Sequence, residues 1–325
     1  LQTTRDYSII NHTPNTERAM ARRRRSIGRD RGLQFRMYFV MFNLIIVYLF
    51  FFAAMTLIGI DLTFIVILAL ILLGTQYFFS DKLVLRSVGA RIVSPDEAPE
   101  LHSTIDRLVA KAGMPKPKIA ISKSDIPNAF ATGRNPQNSV VCVTEGIMRR
   151  LTNDELEGVL GHELTHIKNR DVTVITFASF FATLASMLSG MLMWMMLLGG
   201  LTGSRSRNGG GLAMGFMAAY VISLIVYFVA NLLILALSRY REYSADRGGA
   251  ILTGQPSHLA SGLMKITGSI SRIPTQDLRK METANAFCIV SALRGESLAG
   301  LFASHPPIDK RVSRLRDLSR ELDRR

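Results

Sequence analysis

The stretch Gly161-His162-Glu163-Leu164-Thr165-His166-Ile167-Lys168-Asn169-Arg170-Asp171 runs straight into an apolar block that begins at Val172. On a helix, His162 and His166 stand at i and i+4, one turn apart on the same face. That spacing suits two positions of a tetrahedral zinc ion, and Glu163 is placed to act on the water that such an ion activates. Chance alone yields His-Glu-x-x-His in roughly one chain in a hundred of this length, so the motif needs a third ligand. Glu242, in Arg241-Glu242-Tyr243-Ser244-Ala245-Asp246, is the candidate, with Asp246 one turn further along the same face. The other account of this pair is an exposed acidic face.

Composition says where such a site would work. The chain has 325 residues, is 48% hydrophobic and carries a formal charge of +14. Its apolar residues are gathered in blocks too long for core helices. Met37–Leu57 and Leu62–Phe79 form a hairpin whose outer turn lacks Lys and Arg, and 172–201 and 212–237 form a second. Each block approaches the roughly 20 residues that cross a hydrocarbon layer, which predicts about four spans. The alternative for the second hairpin is a buried or re-entrant pair with the same sidedness. Arg22, Arg23, Arg24, Arg25, Arg29, Arg31 and Arg36 lie just before the first block. Basic residues flanking a span orient it and meet anionic lipid. No recognition module accompanies them, so a nucleic-acid partner is not expected. The polar start lacks a secretory signal, and the first block is expected to stay as an anchor. Cys142 and Cys288 are the only cysteines and have neither metal-like spacing nor the density of a disulfide framework.

These patterns divide the chain into a basic tail (1–35), a first transmembrane hairpin (36–79), a globular part bearing the histidine motif (80–171), a second hairpin (172–237) and a globular remainder (238–325). An even number of spans puts the tail and both globular parts on one side, and their basic residues place that side in the cytoplasm of a plasma-membrane protein. Within 80–171, Ser94-Pro95 reads as a helix start and Gly113 as its end. Residues 118–122 and 139–144 read as strands, and 128–133 as a third strand or an extended edge. Thr152 and Glu155 form a capping box opening the motif helix.

His166 lies six residues before Val172, roughly 9 Å at 1.5 Å per residue, and Glu242 five residues after Leu237, roughly 7–8 Å. Adjacent spans would set both at one height above the bilayer. An unrelated acidic pair has no reason to match. The spans also lack the ionisable residues of a translocation path. A non-enzymatic adaptor with a structural metal would need a fourth Cys or His ligand, and none is near.

The motif through Asp171 and Glu242-Tyr-Ser-Ala-Asp246 resemble the HtpX family of membrane zinc metalloproteases, heat-shock quality-control enzymes related to the CAAX prenyl endopeptidases. Asn128-Ala-Phe-Ala-Thr-Gly133 and His305-Pro-Pro307 are similar to segments of that family too, and the likeness runs from about Met37 to the end. It implies a mainly α fold with a small β-sheet, in which a cytosolic zincin-like (gluzincin) domain is carried on the transmembrane helices. It further implies a metalloendopeptidase for misfolded or damaged membrane proteins, with one Zn2+ per subunit on His162, His166 and Glu242 and with Glu163 as the catalytic residue. Asp246 is placed to orient a ligating His. His305 and Arg311 are candidates for the oxyanion donor, or are structural. Asn128 and its neighbours either offer an edge strand to substrate or form an interior strand.

Overall fold

The computed structural model describes residues 31–57, 61–201, 209–270 and 306–324. The predicted strands anchor a four-stranded sheet. β1 (Ala90–Ile92), β2 (Lys118–Ser122), β3 (Ala129–Asn135) and β4 (Asn138–Thr144) lie in the order β1-β2-β4-β3. β2 and β4 are parallel, and β1 and β3 flank them antiparallel. The sheet is covered on both faces, and strand alternation decides which residues go where. Ile119, Val141 and Val143 join the main core with Ile105, Leu108, Leu160 and Leu164. Ala120, Val140, Cys142 and Phe130 turn the other way and meet Val84.

Five whole helices close the main core, joined by Ala250 at the end of a longer one. They are α3 (Pro99–Ala112), α4 (Glu145–Arg150), α5 (Asn153–Lys168), α8 (Pro256–Ile270) and α9 (Ile308–Asp323). α3 ends on Gly113 in the left-handed region at φ 62°, as its sequence predicts, but begins at Pro99, four residues later than expected. Ser94 and Glu97 instead close a turn, with the Ser94 N–H donating to the Glu97 carboxylate at 2.8 Å. Pro99 is the reason. A helix begun at Pro95 would lose a hydrogen bond and clash at Pro99, and the residue before a proline is disfavoured in the α region.

α5 starts on the predicted capping box. The Glu155 N–H donates to Thr152 Oγ1, and Glu155 Oε2 accepts from the Thr152 N–H at 2.9 Å. The same carboxylate accepts from Ser261 Oγ at 2.7 Å and Lys265 Nζ at 2.8 Å, tying α5 to α8. Burial alone would raise the Glu155 carboxyl, but Lys265, Ser261 and Thr152 outweigh it and hold the pKa at about 2. This lies below the roughly 4.3 of an unfolded Glu. The resulting stabilisation is therefore complete above that value and is lost as the pH falls toward 2. The thermal stability of the solubilised protein should fall from about pH 5 downward, and Glu155→Gln should flatten that slope. An unchanged slope in the variant rules the linkage out.

The remaining helices are α1 (Arg31–Leu57), α2 (Leu62–Ser87), α6 (Asp171–Leu201) and α7 (Gly209–Thr253). They pack through Phe51, Met55, Ile65, Leu184 and Leu188 at one level and Leu44, Tyr48, Ala178, Ala182 and Leu237 at another. Their outward faces carry Phe39, Phe42, Trp194 and Ile225, all exposed, as lipid-facing surfaces do. Among the described residues, three segments are long and apolar enough to cross a membrane, Gly32–Leu57, Asp171–Leu198 and Met214–Thr253. The expectation of about four meets a shorter case in α2, whose apolar part is Thr63–Thr75. That part covers about 20 Å at 1.5 Å per residue, against a layer of about 30 Å. α2 then continues as a helix through Asp81 and Lys82 to the protein-covered face of the sheet.

Candidate active site

α7 is continuous from its apolar half through Glu242 and Asp246 to Thr253, so the acidic pair is carried on the extension of a membrane helix. Glycines let α7 lie directly against α5. A Cβ on Gly249 would stand 2.6 Å from the His162 backbone nitrogen and 2.8 Å from its Cα. No rotamer change can relieve a backbone contact. Gly249→Ala should therefore push the helices apart, costing about 1–3 kcal/mol as overpacking does, and weaken metal retention. Wild-type metal content and thermal midpoint in that variant would show that the helices have slack.

The crossing gathers the three candidate ligands. His162, His166 and Glu242 offer ligand atoms that all lie within 4.8 Å of one another. His162 Nε2 and His166 Nε2 are 3.1 Å apart, and Glu242 oxygens lie 3.6 Å from the first and 3.4 Å from the second. An ion with tetrahedral bonds of about 2.0–2.1 Å sets its ligands about 3.3–3.4 Å apart, so the donor set fits such an ion. The opposite ring nitrogens are held by carboxylates. His166 Nδ1 is 2.6 Å from Asp171 Oδ2. His162 Nδ1 is 3.0 Å from Asp246 Oδ1, off the straight N–H direction. Protons on the two Nδ1 atoms leave the Nε2 lone pairs converging on one point, which a cation satisfies.

Charge at the site points the same way. Burial opposes protonation of both imidazoles, yet the carboxylates prevail. Asp246 and Glu242 raise His162, and Asp171 and Glu242 raise His166 to about 10. Of these carboxylates, Glu242 alone faces the two Nε2 atoms, so a cation held there would be met by a buried negative charge. Glu163, 4% exposed, is pushed above the ordinary carboxylate range by burial. The Ala131 backbone N–H of β3 is near enough to offset part of that shift, so the strand edge borders the site.

The other sequence candidates have separate places. Arg311, 1% exposed on α9, forks onto Asp246, with Nε 2.9 Å from Oδ2 and Nη2 2.7 Å from Oδ1. Its Nη1 is also 3.4 Å from Glu242 Oε2. Burial would favour the uncharged form of Arg311, but Asp246 outweighs it and holds the charge firmly. Burial likewise opposes ionisation of Asp246, and Arg311 outweighs it, keeping that carboxyl below its usual range. Asn128 is buried just before β3, its N–H donating to Thr144 Oγ1 at 2.9 Å and its carbonyl accepting from the Thr144 N–H at 3.0 Å. β3 is the terminal strand of the sheet. His305 lies outside the described residues.

Two residues went unassigned in the sequence. Asp171, 1% exposed, accepts from His166 on one oxygen and faces Arg241 Nε at 3.2 Å on the other. A separation of five residues does not bring side chains together on one helix. Here the chain turns at Arg170, whose φ is 57°, and α6 starts afresh at Asp171.

Residues 95–319 match the model of peptidase family M48. The chain is 53% identical over 303 residues to a protease HtpX homolog of Moorella thermoacetica, covering 93% of this chain and 99% of that protein. It is 49% identical to protease HtpX homolog 2 of Methanosarcina acetivorans, over 90% of this chain and 98% of that one. The crystal structure of Ste24p from S. mikatae shares the fold at a TM-score of 0.54 and 17% identity, matching 83% of this chain and 62% of that one. The chain belongs to peptidase family M48 and is a membrane-bound metalloprotease.

Proposed function

We propose that the protein is a zinc endopeptidase that cleaves misfolded or damaged membrane proteins at the cytoplasmic surface of the plasma membrane. The observation that carries this reading is the convergence of three ligand atoms within 4.8 Å, with the Glu163 carboxyl beside them under the edge of β3. His162, His166 and Glu242 would hold one zinc ion per subunit. Bound there, zinc supplies the Lewis acidity that polarises a scissile carbonyl and acidifies a water. Glu163 takes the proton of the attacking water and delivers it to the departing amine. Its elevated pKa matches a group that must both accept and return a proton. Substrate lies extended along β3, adding a strand to the sheet, with Asn128 shaping the start of that strand.

Asp246 and Asp171 act as positioning residues, each setting the ring orientation and tautomer of one ligating histidine. Arg311 belongs with them. Its guanidinium forks onto Asp246 and lies near Glu242, which supports a positioning role over oxyanion donation. The basic segments support a cytoplasmic orientation, and α2 completes a fourth crossing where the bilayer thins around its short apolar part. The protein reconstituted in liposomes should hold about one zinc per chain and cleave a membrane-anchored substrate only while the metal is present. Undiminished cleavage after complete zinc removal would refute the reading.

A further inference from the structure

Resting on the protease reading above, a directional feature of the site bears on its substrate. Among the described residues, β3 is hydrogen-bonded to the sheet on one side only, by β4. The Thr144 N–H donates to the Asn128 carbonyl, and the register pairs Phe130 with Cys142 and Thr132 with Val140. Hydrogen-bonded pairs alternate along an antiparallel ladder, so residues 128, 130 and 132 turn their backbone groups to β4. Those of Ala129, Ala131 and Gly133 face the opposite edge.

The two ends of β3 differ in their distance from the bilayer. Near its carboxy-terminal end, the Arg134 carbonyl accepts from Thr173 Oγ1 at 2.9 Å, and the Arg134 guanidinium lies 5.5 Å from the Phe78 ring centroid. Thr173 is in the first turn of the candidate span Asp171–Leu198, and Phe78 follows the apolar stretch Thr63–Thr75. This end abuts the membrane surface. Asn128, at the other end, is bonded to Thr144, the N-cap of α4. From there the chain leads to Asn153, the end of α5 remote from α6. About 13 Å of strand separates Ala131, opposite the catalytic Glu163, from Asn135 beside the bilayer.

We infer that the substrate is an extended segment that leaves the bilayer on the amino-terminal side of the scissile bond. A peptide adding to β3 in the antiparallel sense, the more stable pairing, runs opposite to β3, from the membrane end toward Asn128. Its amino-terminal flank is then the one at the bilayer. The site takes the residues that directly follow a transmembrane span and cuts them about four to ten residues beyond it. A segment that precedes a span presents the wrong polarity and has to pair in parallel or fold back.

Two fusions in liposomes test this with the full-length protein. Both carry the same short unstructured segment between a model span and a fluorescent protein, on the Glu163 side of the bilayer. One has the order span–segment–reporter and the other reporter–segment–span; the free segment peptide is the third substrate, and Glu163→Gln enzyme is the control. The span-first fusion should be cleaved at least about tenfold faster, a difference of about 1.4 kcal/mol. Mass spectrometry should place its cut within about ten residues of the span. Equal rates, or faster cleavage of the reporter-first fusion, overturn the polarity. They leave the protease reading standing if wild type, and not Glu163→Gln, cuts the free peptide. Failure of the wild type to cut any of the three overturns both.

Discussion

Glu163→Gln should abolish peptide cleavage while leaving zinc content and thermal stability intact. General acid–base groups contribute about 10²–10⁴-fold to such reactions, and the loss should fall in that range, mostly in kcat. The substitution is nearly isosteric. A Gln amide fills the same space beside Ala131 of β3, so the strand edge keeps its place against the motif helix. Removing a buried ionisable group whose charge is disfavoured by burial costs little stability. What the amide cannot do is take a proton from water. Residual activity above about a tenth of wild type would mean that another group is the base. Loss of zinc in the variant would mean that Glu163 is itself a ligand and that the set His162, His166 and Glu242 is misassigned. Because the variant should still bind extended substrate along β3, it also serves as a trap for natural substrates.

The helix bearing the histidine motif was legible because every local signal agreed there. The capping box, the i, i+4 spacing and an unbroken helical pattern all fall within 152–168. The strands 118–122 and 139–144 were legible from their β-branched and apolar runs. Matching heights for His166 and Glu242 followed from counting residues to the nearest apolar blocks. Other features depend on contacts that no local pattern encodes. β1 has three residues and is formed only because Ala90 and Ile92 find β2. Asp171 reaches His166 only through the turn at Arg170. The pair Gly248-Gly249 sits in a helical pattern, where its cost in propensity signals close packing; its partners, the Thr165 side chain for Gly248 and the His162 backbone for Gly249, are unreadable from sequence. Arg311 was singled out by the neighbouring family-like segment, but its bond to Asp246 spans 65 positions.

Replacing Arg311 by methionine should be among the most damaging single changes in the protein outside the ligands, and the manner of damage separates two roles. The guanidinium is 1% exposed and is the cation that forks onto Asp246 while lying near Glu242. Removing one partner of a buried ion pair leaves an uncompensated charge and costs about 3–5 kcal/mol. Asp246 then loses the anchor that holds it against His162, and disturbing such outer partners weakens metal binding about 10–100-fold. Activity at limiting zinc should fall by a similar factor, and excess zinc should restore much of it. An oxyanion donor would behave otherwise, because its removal costs about 10²–10³-fold in kcat that no amount of zinc recovers. Arg311→Lys sharpens the contrast and guards against simple misfolding. It keeps the charge but not the planar fork, so it should fold better than the methionine variant while still requiring more zinc than wild type. Full zinc occupancy in both variants, with kcat alone reduced, would return Arg311 to the oxyanion.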